Sequence, residues 1–372
     1  MARKLCIAAM AATLSATSLA QVPDLVTSID AGGRAMGVGG SSYVTGADTL
    51  SSYFNPAGLG YLSRSEVGLT IRNMPESQTV VTGDLVPSGN ERLESNGKKG
   101  PNGLGHLGFA LPLNGGQKGT IGIAITDAGQ MRDRRIAGTG LTEGGIAANG
   151  YNQLLKNKTD FINLSYGKAT PSGFNFGFGL IYARNNTVNI RVGVPSGSTI
   201  YDEESSGWGG IVGLMFTPRN NPNISIGMSY RSEISLKSNS GNILLYDKVP
   251  ARANIGAAIR RDGLRGGKDF LVLSGEVNHF FDGSPSVFFD REAQTTGGLG
   301  MEYNYGMGGN RIPIRIGFNF VPSGGQAYAA RNSFTYGIGY RAGSGDWGVD
   351  LNFGRPQGGG ADASLSLMYR FK

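Results

Sequence analysis

The sequence predicts an all-β fold: a transmembrane antiparallel β-barrel of about 14 strands, with an N-terminal hatch in the lumen. Three observations predict it. From about residue 61 to the end, apolar and polar residues alternate in stretches near ten residues long. The connections between these stretches are alternately short and long. The segment before them, Ile29 to Tyr61, is glycine-rich and does not alternate.

Taken in order, residues 1–20 read as a signal peptide. Arg3 and Lys4 precede an apolar run, Leu5 to Leu14, and Ser18-Leu19-Ala20 supplies small residues before Gln21. The apolar run is too short to span a bilayer as a helix. The single cysteine, Cys6, lies inside this stretch, so the remainder carries no thiol for a disulfide, a metal site or a nucleophile.

Residues 21–60 read as the hatch and residues 61–372 as the barrel. The hatch has six glycines between Gly32 and Gly46 and ends in an Asn55-Pro56-Ala57-Gly58 corner. Gly37, Gly39 and Gly40 allow the backbone to approach the wall closely. Pro56 fixes its own φ and restricts Asn55 to extended conformations, making a stiff exit into the first strand. A barrel of this size encloses a hole, because eight strands are filled by their own side chains and sixteen leave an aqueous channel. A segment that starts on the periplasmic side and lacks strand periodicity is suited to fill it.

Fourteen stretches then show the period of 2 that marks strands with unlike faces, at roughly 64–72, 104–113, 119–127, 159–169, 173–183, 208–217, 223–235, 251–260, 269–280, 294–305, 311–320, 331–341, 345–353 and 362–371. Ile312, Ile314, Ile316, Phe318 and Phe320 alternate with Arg311, Pro313, Arg315, Gly317 and Asn319; Phe174, Phe176, Phe178 and Leu180 face away from Asn175, Gly177 and Gly179. Such lengths suit tilted strands crossing a bilayer. Short turns such as Asn114-Gly115-Gly116-Gln117, Pro171-Ser172 and Ala342-Gly343-Ser344 alternate with long loops at 73–103, 128–158, 184–207, 236–250, 281–293, 321–330 and 354–361. That is the outer-membrane layout, with short turns and both termini on the periplasmic side. Aromatic residues near strand ends, among them Tyr166, Tyr182, Trp208, Tyr230, Phe280 and Tyr340, read as interfacial girdles.

The inward faces carry Arg72, Arg231, Arg252, Glu276, Glu302, Arg311, Arg315, Arg341 and Arg370. Charges there avoid lipid, and most are expected to pair across the lumen or onto the hatch. The chain bears 34 Lys+Arg against 27 Asp+Glu, but no basic run is longer than two residues, so no nucleic-acid footprint is present. Glycine makes up 62 of 372 residues, more than twice the usual share of ~7%.

Several of these residues resemble the FadL-type family of outer-membrane transporters, FadL/TodX-like channels for hydrophobic compounds. The similarity lies in Arg34-Ala35-Met36-Gly37-Val38-Gly39-Gly40, the Ala47-Asp48 step, Phe54-Asn55-Pro56-Ala57-Gly58-Leu59, and the fourteen strands that follow. The resemblance implies passive uptake of hydrophobic small molecules such as long-chain fatty acids. In that picture cargo lands among the extracellular loops, displaces part of the hatch and leaves laterally through the wall. Asn55, Pro56 and Ala57 carry over as hatch-shaping residues that gate, with Gly37, Gly39 and Gly40. Loop 128–158, with Met131, Ile136, Leu141, Ile146, Leu154 and Leu155, is a better candidate for apolar capture than the polar loop 73–103. Arg34-Ala35-Met36-Gly37 is equally similar to the PorV-like branch, which implies instead a barrel serving protein secretion or surface attachment, with a secreted-protein partner. The terminal Leu365-x-Leu367-x-Tyr369-x-Phe371 resembles the signal read by the barrel-assembly machinery. All of this places the chain in the bacterial outer membrane, with hydrophobic molecules and membrane lipid as partners.

Enzyme chemistry is not expected. His106 and His279, both expected inward, are far apart and have no companion ligands for a metal, nor a Ser–His set. Gly37-Val38-Gly39-Gly40 lacks the third glycine and the preceding strand of a nucleotide fingerprint. Asp202-Glu203-Glu204 reads as a solubilising loop rather than a calcium site. No cofactor or metal is expected, and the sequence names no substrate-binding residue.

Overall fold

Alternation gives each strand one apolar face, and closing the strands into a ring turns that face to lipid while leaving no unpaired edge. The computed structural model describes residues 32–73, 77–82, 91–93, 102–138, 150–194, 197–241, 247–281, 293–322, 330, 332–356 and 362–371. Its barrel strands are β1 (Ser65–Asn73), β2 (Asn102–Pro112), β3 (Thr120–Gly138), β4 (Gly150–Ala169), β5 (Phe174–Val194), β6 (Gly197–Phe216), β7 (Ile224–Arg231), β8 (Arg252–Gly263), β9 (Asp269–Phe280), β10 (Gln294–Met307), β11 (Asn310–Phe320), β12 (Ser333–Arg341), β13 (Trp347–Pro356) and β14 (Asp362–Phe371). Each pairs antiparallel with the next. β14 returns to β1, with Phe371 opposite Ser65 and Ala363 opposite Asn73. The wall is a closed barrel of 14 antiparallel strands, and every strand falls on a stretch expected from the alternation.

The outer face is apolar. Phe174, Phe176, Phe178 and Leu180 on β5, Ile314, Ile316, Phe318 and Phe320 on β11, and Phe334, Tyr336 and Ile338 on β12 are all exposed. Their opposite numbers are buried, including Asn175, Arg315, Asn319 and Thr335. A belt this continuous is far larger than a soluble surface tolerates, and it forms the lipid-facing wall of an outer-membrane barrel. No helix among the described residues is long and apolar enough to cross a membrane; the strands make the crossing.

Four stretches expected as loops contain strand. Stretches 128–138 and 150–158, expected as loop, continue β3 and β4 as a paired ladder, and 184–194 and 197–207 do the same for β5 and β6. The β3–β4 ladder shifts register between Asp127 and Gln130, where apolar alternation stops, and then resumes. Outside the bilayer neither face has to be apolar, so hydrophobic period is silent while backbone pairing persists. The landing-site residues Met131, Ile136, Leu154 and Leu155 therefore lie on strand backbone, whereas Leu141 and Ile146 lie outside the described residues. Loops 73–103 and 236–250 contain short strands at Ser77–Thr82, Glu91–Leu93, Ile234–Ser235, Lys237–Ser238 and Lys248–Val249.

On β9 the even-numbered Glu276 and Phe280 are the buried lumenal residues. His279, expected inward, accordingly lies outside, where its Nδ1 meets Thr295 Oγ1 at 2.9 Å and its ring stands edge-on to Phe281. Phe280, expected in a girdle, is a lumenal residue. Residues 1–20 and the first part of the hatch lie outside the described residues.

Candidate functional site

Residues 32–62 run through the lumen. The segment is built from α1 (Gly33–Gly37), α2 (Ser51–Phe54) and a single 3-10 stretch, Pro56–Tyr61. With such short helices, little of its shape is self-supporting. The wall holds it by three means: close backbone packing on glycine, hydrogen bonds and a chain of ion pairs.

The glycine contacts explain much of the composition. At Gly317, Gly298 and Gly300, an added Cβ would overlap the backbone of Val38 to Ser41; at Gly227 it would overlap Val44, and at Gly167 and Gly177 it would overlap Pro56. The wall is thus smooth where the lumenal chain crosses it. Gly39, with φ of +69°, has its own missing Cβ directed at the Phe318 backbone. Only glycine suits that position on either ground.

Asn55 is fully buried and does three things at once. Its Oδ1 accepts from Ala57 N (3.2 Å), capping the 3-10 stretch with Pro56 at the first position. Its Nδ2 donates to Val44 O at 2.7 Å and to Leu214 O on β6 at 3.1 Å. Asn55 itself is extended, with φ of −155° and ψ of 96°. Ala57 is buried. On the opposite side of the lumen, Gly37 O accepts from Thr335 Oγ1 (3.2 Å) and Gly39 O from Asn319 Nδ2 (3.1 Å). Gly40 faces the Tyr43 ring. The six hatch residues picked from sequence therefore sit in two clusters on opposite walls, joined through Val44, which also donates to Glu276 Oε2 at 3.0 Å.

The ion-pair chain runs Arg34–Glu302–Arg315–Asp350–Arg341, with contacts of 2.7, 2.6, 2.7 and 2.6 Å. It ties α1 to β10, β11, β13 and β12. Arg72 pairs with Asp362, and Arg370 with Glu66 at 2.7 Å. Glu66 also accepts from Thr49 N at 3.0 Å. Asp48, which accepts from Leu50 N at 3.0 Å, lies beside this group. Burial holds its carboxyl above the usual carboxylate range, against the opposing pull of Arg34 and Arg370.

Two lumenal cations behave differently. Arg231 and Arg252 face each other across β7 and β8 and are buried, yet neither makes an ion pair with a carboxylate among the described residues, Glu276 acting on Arg252 only at longer range. Arg231 donates to Tyr53 Oη (3.1 Å) and Pro250 O (2.9 Å), leaving Nε unpartnered; Arg252 leaves both Nε and Nη2 unpartnered. Their guanidiniums lie against rings: Arg252 Cζ is 5.2 Å from the centre of Tyr53 and 5.0 Å from Phe54, and Arg231 Cζ is 5.4 Å from Phe161. Tyr43 stacks on Phe54 at 3.7 Å. Phe161, Ile181, Ile211, Ile234 and Val249 continue this apolar cluster. A small cleft lined by Tyr43, Phe54, Arg252, Asn278, Phe280 and Thr296 opens beside it. Ile234 reaches the cluster because the chain leaves the wall after Arg231, dips inside through Ser232 to Leu236, and rejoins β6 at Lys237 opposite Ser206.

This pocket escaped sequence reading. Arg231 and Arg252 were expected inward but paired; the available signal was Tyr43, Tyr53 and Phe54, large rings in a segment otherwise made of small residues.

The two histidines lie apart, each against threonine hydroxyls. His106 is buried between Thr49 Oγ1 (2.9 Å) and Thr126 Oγ1 (3.2 Å). Among the described residues no group of three His, Cys, Asp or Glu is placed to hold a metal. Glu203 turns instead to Ser238 and Ser240, each at 2.5 Å.

Neither a protein-family model nor any curated protein matches the chain. Solved structures do. A Pseudomonas aeruginosa FadL homologue aligns over 95% of this chain and 100% of its own, at 15% identity and a TM-score of 0.58. The P. putida toluene transporter TodX aligns over 91% and 97%, at 16% identity and a TM-score of 0.58. The Ralstonia pickettii toluene transporter TbuX aligns over 91% and 100%, at 16% identity and 0.56. The chain has the fold of the FadL-type outer-membrane channels.

Proposed function

We propose that this protein is an outer-membrane channel for the passive uptake of hydrophobic small molecules, gated by its lumenal segment, and that its cargo is an amphiphilic carboxylate such as a long-chain fatty acid. The FadL homologue and the toluene transporters share its fold, which supports hydrophobic cargo in general. The observation that carries the finer reading is the Arg231–Arg252 pair. Glu276 acts on Arg252 through space but pairs with neither guanidinium, and a buried guanidinium that keeps unpartnered N–H groups is suited to take a carboxylate. The rings and aliphatic side chains beside it suit the alkyl part of such a molecule. The gate is the segment anchored by Asn55, Pro56 and Ala57 on one wall and by Gly37, Gly39 and Gly40 on the other.

The test is uptake of oleate and of toluene into proteoliposomes by the native chain and by Arg252→Gln. Oleate uptake is expected to fall about tenfold or more, the loss of one charge-assisted pair, with toluene uptake unchanged. Equal losses for both, or for neither, would remove the carboxylate assignment. Deleting residues 21–56 is expected to raise single-channel conductance sharply; unchanged conductance would mean that this segment does not close the lumen.

The second reading, a barrel serving secretion or surface attachment, draws on the paired extensions of β3 to β6 beyond the apolar belt, which offer surface for a protein. Extraction in mild detergent separates the two: co-purified fatty acid favours the channel, and a stoichiometric secreted protein favours the other.

A further inference from the structure

At the long-loop end of the barrel, Lys158, Arg184 and Lys248 are each paired with an acid (Asp160, Asp160 with Glu204, and Glu233), whereas Lys237 and Arg355 have no carboxylate partner among the described residues. Among the described residues, unpaired cations are more numerous at the short-turn end. Lys118, Lys168, Arg219, Arg261 and Lys268 have no carboxylate partner among the described residues. Four of the five are exposed and Lys168 is half-buried. They are distributed over four successive turns, those joining β2 to β3, β4 to β5, β6 to β7 and β8 to β9. The acids of the same rim are already engaged: Asp262 with Arg260, Asp269 with Arg265 and Asp346 with Arg64.

Two of the cations are lipid-facing by strand register. Lys168 ends the outward row Ile162, Leu164, Tyr166 on β4 and lies opposite the exposed Phe176 on β5. Arg261 ends the outward row Ile255, Ala257, Ile259 on β8, opposite Leu271. Each row thus passes from hydrocarbon-facing side chains to a cation at the next outward position, two residues on, at the depth of the headgroups. Long basic side chains in that position lay their stems on the apolar surface and present their charge to phosphate.

We infer that this rim is a binding surface for anionic phospholipid of the inner leaflet, a phosphatidylglycerol-like headgroup held at successive turns. The arrangement favours lipid over an acidic protein. One or two cations per turn, spread along an arc of four turns and continuous with the apolar belt, match a row of boundary lipids; a protein ligand would call for a compact patch.

The experiment uses the full chain refolded into phosphatidylcholine vesicles containing a trace of spin-labelled phosphatidylglycerol or spin-labelled phosphatidylcholine. The labelled anionic lipid is expected to associate with the barrel about three- to fivefold more strongly, given attraction of order 1 kcal/mol per cation at the surface. The preference should fall to near unity at 1 M salt, roughly a 3 Å screening length. It should fall equally in a variant with Lys118, Lys168, Arg219, Arg261 and Lys268 all changed to Gln. Heat-modifiable gel mobility reports whether that variant is folded, and Lys168→Gln with Arg261→Gln alone serves if it is not. Equal association of both lipids with the native chain, or a preference that survives the substitutions, overturns the inference. So does tight binding of a poly-glutamate peptide with no lipid preference, which would assign the rim to an acidic protein.

Discussion

Asn55 and Gly213 occupy one another's space. The Asn55 carboxamide lies where a Cβ at Gly213 would stand, and Pro56 Cδ follows it into the same notch. This is the tightest point of the interlock between the lumenal segment and β6. The carboxamide that fills the notch also joins Ala57, Val44 and Leu214 through its hydrogen bonds.

Gly213→Val is therefore expected to push the Asn55 corner out of its seat while leaving the β5–β6 and β6–β7 ladders able to form. Single-channel recording should show frequent openings where the native chain is quiet. Asn55→Ala removes the same anchor from the other partner, leaving buried groups unsatisfied at about 1–3 kcal/mol each. It should give the same openings. A closed trace in both variants would show that this corner does not hold the gate.

The ion-pair chain separates wall from hatch. Arg315 is essentially buried and touches both Glu302 and Asp350, so Arg315→Met leaves buried carboxylates short of a partner. Loss of about 3–5 kcal/mol is expected. Arg34 is about one-third exposed (32%) and Glu302 keeps Arg315 when it is removed. Arg34→Met should cost about 1 kcal/mol or less. Urea unfolding in vesicles, followed by the fluorescence of Trp208 and Trp347, measures both; similar losses would mean that the chain of pairs acts as one unit.

The barrel was readable from sequence because lipid imposes a strict rule: residues such as Ile314, Ile316 and Phe318 must be apolar at every second position. The rule stops at the headgroups. That is why the ladder from Gln130 to Gly138 carried no signal, although its backbone pairs with 150–158. Lumenal residues obey no period either. Asn55 and Gly39 could be noticed as corner and glycine, but their partners Val44, Leu214 and Phe318 are set by how the segment lies across the lumen. The unpaired state of Arg231 and Arg252 is equally non-local, since it depends on which acids the fold brings near. Glu302 is engaged by Arg34 and Arg315, whereas Glu276 accepts from the Val44 amide through Oε2, leaves Oε1 unpartnered and acts on Arg252 without forming an ion pair with it.

Asp48 gives the lumenal segment a pH dependence of known sign. Its carboxyl is raised above 3.8 chiefly by burial, so the folded protein binds this proton more tightly than the unfolded chain. The stability it contributes is fully present below 3.8 and is lost as pH rises through the folded value. Asp48→Asn keeps an oxygen for Leu50 N and removes the half-buried charge. The variant is expected to have the higher Tm at pH 8, with the difference shrinking as pH falls toward 4. A difference that grows on acidification would show that Arg34 and Arg370 outweigh burial at this site.

The last prediction concerns the cover over the Arg231–Arg252 pocket. Ser232 to Leu236 dips inside β6, and its Ile234 fills the space beside Phe161, Ile181 and Ile211. A molecule whose carboxylate reaches the two guanidiniums from the loop side has to displace that side chain. A Cβ placed at Gly209 would stand 2.6 Å from Ile234 Cγ1, so the β-carbons of residues 209 and 234 come within the separation a disulfide bridges. Gly209→Cys with Ile234→Cys adds the only thiols beyond Cys6. Oxidation should pin the dip against β6 and slow oleate uptake several-fold, with reductant restoring it, while Ile234→Ala should speed uptake. If the oxidised and reduced forms carry oleate at one rate, cargo reaches the interior by a path that leaves Ile234 in place.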